Sequence, residues 1–89
     1  VASKAGLAAL TKSLALDLAP AVRVNAVAPG AILWPENGDV ERRERILARI
    51  PAARPGTAED IADAVAYLAG ATYVTGETIA VDGGRSVTI

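Results

Sequence analysis

The sequence predicts an α/β fold with a parallel sheet, and two observations point to this class. Helical and extended segments alternate in the order helix, strand, helix, helix, strand. Strands that are separated by helical crossovers pair in parallel. Two strands alone do not form a stable sheet of this kind. We therefore expect the other strands to come from another segment, so that the 89 residues form an incomplete part of one domain.

The first half of the sequence predicts a long helix and a strand. Residues from Val1 to Leu18 are strong helix formers, and Ala19-Pro20 stops the helix. Two apolar stripes lie on opposite sides, so we expect burial on both sides. The stripes are Leu7, Leu10, Leu14 and Leu18 on one side and Ala5, Ala9 and Leu16 on the other. Alternating, valine-rich residues from Val22 to Val27 predict the strand, which Ala28-Pro29-Gly30 ends.

The second half predicts two helices and a strand. A charged helix from Asp39 to Ile50 has the composition of a surface flap. The next helix has Thr57 as its expected N-cap and Gly70 as its expected C-cap, with Ile61, Val65 and Leu68 on its inner face. Residues 78–81 predict a strand. The Asp82-Gly83-Gly84 segment that follows predicts a tight turn, because it lacks the rest of a phosphate-binding glycine motif.

Composition excludes several kinds of site. Without His or Cys the chain supplies no Ser-His-Asp triad, thiol nucleophile, disulfide or typical zinc site, and we expect no metal. A net charge of −1 with both signs scattered along the chain provides no footprint for nucleic acid or an anionic membrane. No uncharged stretch has membrane-spanning length. The lack of cysteine and of a visible targeting segment favours a cytoplasmic location.

Three segments, taken together, resemble one protein family. Ser3-Lys4-Ala5-Gly6 opens the long helix, Arg23 to Gly30 reads RVNAVAPG, and YVTG at 73–76 precedes IAVDGG at 79–84. In this order and spacing they resemble the C-terminal part of a short-chain dehydrogenase/reductase, most closely the pteridine reductases and their bacterial relatives. The resemblance implies that residues 1–89 are the C-terminal portion of a doubly wound, Rossmann-type parallel sheet in a single nucleotide-binding reductase domain.

The resemblance also implies an activity. We expect an oxidoreductase that uses NADPH, with NADH not excluded, to reduce a C=N or C=O bond of a small molecule, with a pterin as the candidate substrate. The alternatives are a 3-oxoacyl-thioester reductase or a sugar or alcohol dehydrogenase of the same family, and, from another class, a non-catalytic assembly module. A homo-oligomer, dimer or tetramer, is expected. The family's glycine-rich loop and catalytic Tyr would lie before Val1, so the 89 residues alone would be inactive.

Lys4 is the expected catalytic and cofactor-binding residue. It fits the Lys of the family's Tyr-x-x-x-Lys motif, in which a Tyr four residues earlier lies on the same helix face. The ammonium would lower the pKa of that phenol and donate hydrogen bonds to the cofactor ribose. The simpler alternative is a solvated lysine, although the helix dipole disfavours a cation in a first turn. Ser3 is expected only to begin the helix.

The loop after the first strand is the expected cofactor contact. Pro29, Gly30 and Ile32 match the family loop that holds the nicotinamide carboxamide through backbone groups, and a strand's carboxyl end is where such folds bind ligands. The family commonly has Thr where this chain has Trp34. Trp34 is a candidate wall for a flat aromatic substrate or, equally, an anchor for the flap helix. Asn25 is expected to tie its strand to neighbouring backbone.

Overall fold

A computed structural model describes residues 3–30 and 40–87 of the chain. These residues form the helices and strands α1 (Lys4–Leu18), β1 (Ala26–Pro29), α2 (Val40–Ala48), α3 (Ala58–Gly70) and β2 (Thr78–Val81), followed by a short 3-10 helix (Arg85–Val87). The predicted order of helices and strands is confirmed.

The two strands form a parallel pair. Ala26 lies beside Thr78 and Pro29 beside Val81, and the amide of Gly30 continues the ladder by donating to the Val81 carbonyl at 2.9 Å. Helices α1 and α3 pack against both strands. Parallel pairing is therefore confirmed, and the carboxyl ends of both strands lie at the same edge.

The first strand begins later than the predicted Val22. The amide of Val24 donates to the Thr75 hydroxyl at 3.1 Å, while its carbonyl accepts from the Gly76 amide at 2.7 Å. The side chain of Asn25 bonds to the backbone of the same segment. Because side-chain bonds interrupt the ladder here, the regular strand starts only at Ala26.

Helix α1 buries a different face from the one predicted. Ser3 caps it by accepting from the Gly6 amide at 3.0 Å, and it ends where Ala19 turns to extended backbone before Pro20. Thr11 and Ala15 are its buried residues. The predicted stripes remain largely exposed in the described chain, with Leu10 at 57% and Leu16 at 81% exposure. The side of α1 that is covered by the described chain therefore carries small residues, while Leu10 and Leu16 lie on uncovered sides.

Helices α2 and α3 differ from expectation mainly at their ends. Helix α2 has no buried residue, as expected for a flap. Ile50, predicted inside it, lies beyond its end and is buried.

In α3, Thr57 and Asp60 form a reciprocal capping box, which confirms the predicted N-cap. Gly70 is the last residue of α3, and the cap is Ala71 instead. On the inner face Leu68 is buried, but Val65 is 51% exposed.

Candidate functional site

The candidate site lies at the carboxyl ends of the two parallel strands. Pro29 ends β1 and is followed by Gly30, while Val81 ends β2 and is followed by Asp82. In open α/β sheets, ligands bind outside this edge of the strands. The structure therefore places Pro29 and Gly30, two of the predicted cofactor residues, where such a fold binds its ligand.

Gly30 lies directly against Asp82. A Cβ atom on Gly30 would stand 2.7 Å from the Asp82 Cβ and 2.8 Å from its Cα. Contacts of this kind are shorter than two carbon atoms tolerate, so only glycine fits at position 30 without displacing one strand end. The glycine that the sequence suggested for close approach to a ligand is thus also required by the protein's own packing.

Lys4 lies at the start of α1, the helix that packs against both strands. It is the first residue of that helix, directly after the Ser3 cap, and it is exposed. A cation at this end of a helix is disfavoured by the helix dipole. Its positive charge contributes to lowering the pKa of the Asp82 carboxyl, but less than the hydrogen bonds of that carboxyl do. Gly30 and Asp82 therefore meet at one edge of the sheet, and Lys4 begins the helix that packs against both strands.

Asp82 is the residue that the sequence analysis missed. Its Oδ1 accepts from the Gly84 amide at 3.0 Å and its Oδ2 from the Ser86 amide at 3.1 Å. Partial burial opposes its ionisation, but hydrogen bonds from Ser86 and Gly84 and the charge of Lys4 outweigh it, so the pKa of the Asp82 carboxyl lies below its ordinary value. An acidic residue directly after a strand is the available signal in the sequence, whereas the segment by itself predicts only a turn.

The turn after β2 also holds the end of the flap. The Ala52 amide donates to the Gly83 carbonyl at 2.9 Å. Gly83 has a φ of +64°, and a Cβ there would stand 2.7 Å from Ile50 Cγ2. Gly84, also at positive φ, packs on Pro51 in the same way. The segment that follows α2 is therefore fixed on the turn that Asp82 begins.

Two side chains fix the opposite end of the strands. Asn25 donates from Nδ2 to the Val74 carbonyl at 2.9 Å and accepts from the Glu77 amide at 3.0 Å, which confirms the predicted structural role. The guanidinium of Arg23 donates to backbone carbonyls at the end of α3 and in the following turn, at Leu68, Ala69, Ala71 and Val74. Both side chains therefore serve the fold and not the site.

Two predicted site residues, Ile32 and Trp34, lie outside the described residues. Within residues 3–30 and 40–87, no group of three or more acidic side chains converges as it would around a metal ion. No helix in that part of the chain is both long enough and apolar enough to cross a membrane.

Comparisons with known proteins give consistent matches over almost the whole chain. Residues 1–86 match the family described as enoyl-(acyl carrier protein) reductase. A glucose 1-dehydrogenase of Gluconobacter oxydans is 46% identical over 97% of this chain and 35% of its own length. A dihydromonapterin reductase of Citrobacter koseri is 49% identical over 94% of this chain and 35% of its own length. The chain therefore spans about a third of the length of these relatives.

Solved structures also match almost the whole of this chain but only about a third of their own length. A protein from Agrobacterium tumefaciens, assigned as a 2-deoxy-d-gluconate 3-dehydrogenase and solved with bound NADP, superposes with a TM-score of 0.83 at 44% identity. The match covers 96% of this chain and 37% of that one. An apo SCOR enzyme from Clostridium thermocellum superposes with a TM-score of 0.77 at 43% identity, over 97% of this chain and 33% of that one.

Proposed function

The chain belongs to the short-chain dehydrogenase/reductase family, and on that premise we propose that it supplies one side of the cofactor site of an NAD(P)-dependent oxidoreductase. The observation that carries this proposal is the contact of Gly30 with Asp82 at the carboxyl edge of two parallel strands. The bound NADP in a structure of the same fold supports it further.

The residues at this edge suit the polar groups of a nicotinamide nucleotide. Lys4 is exposed and offers three donors, which fit the hydroxyl groups of a ribose. Gly30 carries no side chain, so backbone at the end of β1 can come close to a carboxamide. When bound, the cofactor supplies the hydride, and the protein supplies orientation and the proton. We propose that Lys4 binds the ribose and that Pro29, Gly30 and Ile32 hold the carboxamide.

We propose a pterin as the substrate, reduced at a C=N bond with NADPH. Two relatives support this choice, the dihydromonapterin reductases of Citrobacter koseri and an Enterobacter species, at 49% and 47% identity. Trp34, where the family commonly has Thr, is the proposed aromatic wall for the flat ring. Sugar dehydrogenases and 3-oxoacyl-(acyl carrier protein) reductases among the relatives support the second candidate, reduction of a C=O bond.

A substrate panel tests this proposal. The intact protein is assayed with NADPH and then NADH against dihydropterins, a 3-oxoacyl thioester, simple ketones and, in the reverse direction, aldoses. Turnover of a dihydropterin that exceeds every other rate is the expected result. Failure with all pterins but turnover of another substrate overturns the pterin assignment alone. Failure with every substrate and both cofactors leaves a non-catalytic assembly module as the better account.

A cytoplasmic homo-oligomer, dimer or tetramer, completes the proposal. Large apolar side chains remain exposed on α1, among them Leu10, Leu14, Leu16 and Leu18. Large apolar side chains that are exposed together on one helix are typical of interfaces. Part of it would be covered by the remainder of the domain and part by a second subunit.

A further inference from the structure

The chain between β1 and α3 leaves the sheet and returns to it at the same turn, Asp82-Gly83-Gly84, called the β2 turn from here on. Where the chain leaves, Gly30 lies against Asp82. Where it returns, the Ala52 amide donates to the Gly83 carbonyl at 2.9 Å. One turn at the carboxyl edge of the sheet therefore holds both ends of the connection that contains α2.

The segment that follows α2 is fixed at three points. Ile50 is 6% exposed and packs on Gly83. The Ala53 amide donates to the Ile50 carbonyl at 2.8 Å and closes a turn in which Ala53 has a φ of +59°. Arg54 then pairs with Asp60 in the first turn of α3, at 2.8 Å. The segment is therefore joined both to the β2 turn and to α3.

Helix α2 depends on this segment for its position. No residue of α2 is buried, and the main packing between helices and strands in the described chain involves α1, α3, β1 and β2. A helix with so little buried apolar surface is held by its connections more than by its own packing. The β2 turn therefore sets where α2 lies at the carboxyl edge, the edge at which folds of this class bind ligands.

The carboxylate of Asp82 gives the β2 turn its shape. Its Oδ1 accepts from the Gly84 amide at 3.0 Å and its Oδ2 from the Ser86 amide at 3.1 Å. Gly83 and Gly84 both have positive φ, at +64° and +93°, a conformation that glycine adopts most readily. The two bonds to one carboxylate thus hold this backbone with the Gly83 carbonyl turned toward the Ala52 amide.

We propose that Asp82 and Gly83 are positioning residues for substrate binding, which fix the segment after α2 and thereby place α2 as a wall on the substrate side of the site. This inference rests on the proposed function, because it places α2 beside the substrate of that reaction. Both residues act through the backbone that they hold. A disturbed β2 turn therefore weakens substrate binding and leaves cofactor binding as it is.

The test uses Gly83→Ala in the intact protein. The new Cβ would stand 2.7 Å from Ile50 Cγ2 and 3.1 Å from the Ala52 Cβ, which is too close for the segment to keep its place. Gly76→Ala is the matched control. Gly76 also has positive φ, at +78°, but a Cβ there would meet the Ala15 Cβ at an ordinary 3.5 Å. Both variants carry backbone strain, and only Gly83→Ala disturbs the β2 turn.

Trypsin reports the position of α2 without requiring activity. The helix and the residue after it carry four cleavage sites, Arg42, Arg43, Arg45 and Arg49. In Gly83→Ala we expect cleavage at these sites to become about tenfold faster relative to cleavage at Lys12, because α2 detaches without unfolding of α1. The ratio should stay unchanged in Gly76→Ala. No rise in Gly83→Ala, or an equal rise in both variants, overturns the proposal.

Steady-state kinetics with the best substrate of the panel distinguishes a positioning role from a loss of stability. In Gly83→Ala the KM for that substrate should rise about threefold to tenfold, while the dissociation constant of the cofactor stays unchanged. Gly76→Ala should change neither quantity. An unchanged KM, or an equal loss of cofactor affinity, overturns the proposal while the proposed function stands. If the unaltered protein turns over no substrate, the proposed function fails and the positioning role fails with it.

Asp82→Asn replaces Gly83→Ala if that variant does not fold. Its side chain has one acceptor oxygen in place of two, so the β2 turn loses the bond from Gly84 or from Ser86. The KM and the cleavage of α2 should rise in the same direction as expected for Gly83→Ala. Asp17→Asn, at an exposed position of α1, is the control and should change neither. Equal results for the two asparagine variants overturn the proposal.

Discussion

Gly30 and Asp82 are 52 residues apart in sequence, yet a Cβ on Gly30 would stand 2.7 Å from the Asp82 Cβ. The two residues follow neighbouring parallel strands, and the Gly30 amide bonds to the Val81 carbonyl beside them. This contact joins the end of β1 to the turn after β2. It lies at the carboxyl edge of the two parallel strands, where folds of this class bind their ligands.

Gly30→Ala should destabilise the intact protein by about 1–3 kcal/mol, the usual cost of overpacking, because the new methyl group forces the strand ends apart. Gly70→Ala is the matched control, since nothing lies within 4 Å of a Cβ at that position. Urea unfolding of both variants checks the prediction. Equal stability of the two variants would show that the strand ends yield freely.

Arg23→Lys should lower the free energy of unfolding by about 2–3 kcal/mol, because an ammonium cannot reach the carbonyls that the planar guanidinium fork bonds at the end of α3. Arg45→Lys, an exposed site on α2, is the control and should have little effect. Thermal and urea unfolding provide the measurement. If both substitutions cost the same, the bonds from Arg23 do not support the fold.

Asp60 should make the stability of the protein depend on pH. Its hydrogen bonds with Arg54 and with the Thr57 amide hold the pKa of its carboxyl far below the ordinary value. Because the folded-state pKa lies below the unfolded-state pKa, which is near 3.8, the ionised carboxylate stabilises the folded state at pH values above 3.8. This contribution is lost as the pH falls from there toward the folded-state pKa. The stability difference between the unaltered protein and Asp60→Asn should therefore be largest near neutrality and shrink below about pH 4.

Asp63→Asn provides the control for this pH series, since Asp63 is an exposed carboxylate of the same helix. Urea unfolding at a series of pH values measures both variants against the unaltered protein. A difference for Asp60→Asn that stays constant from neutral to acidic pH would contradict the account of the α3 cap.

Leu16→Glu should weaken self-association, because Leu16 is 81% exposed on α1 in a chain for which we propose a homo-oligomer. Val40→Glu, at a 62% exposed apolar position of α2, is the control. Sedimentation velocity on the intact protein shows the outcome. A monomeric unaltered protein would remove the oligomer from the proposal, and an unchanged assembly in Leu16→Glu would show that Leu16 lies outside its interface.

Local patterns predicted the features whose causes are local. The Thr57 cap and the end of α1 before Pro20 both follow from residue chemistry within a short segment. The start of β1 was misplaced because bonds to a segment about 50 residues away, through Thr75 and Gly76, replace the ladder at Val24. No local periodicity contains that information.

The same reason explains why Asp82 was missed. Its importance comes from a contact with Gly30, which lies 52 positions earlier in the sequence. The leucine stripes of α1 show the converse error: a pattern predicts which face is apolar but not which neighbour covers it. The described chain covers Thr11 and Ala15 instead.

Binding of NADPH and NADH to the intact protein, followed by fluorescence, tests the central claim most directly. The unaltered protein and Lys12→Met should bind at least one of the two cofactors, and Lys4→Met should bind it about tenfold more weakly through loss of charged hydrogen bonds. Lys12 lies on the same helix and is exposed, so it controls for charge and helix composition. Equal binding by Lys4→Met, or no binding of either cofactor by the unaltered protein, would contradict a cofactor site at Lys4 and Gly30.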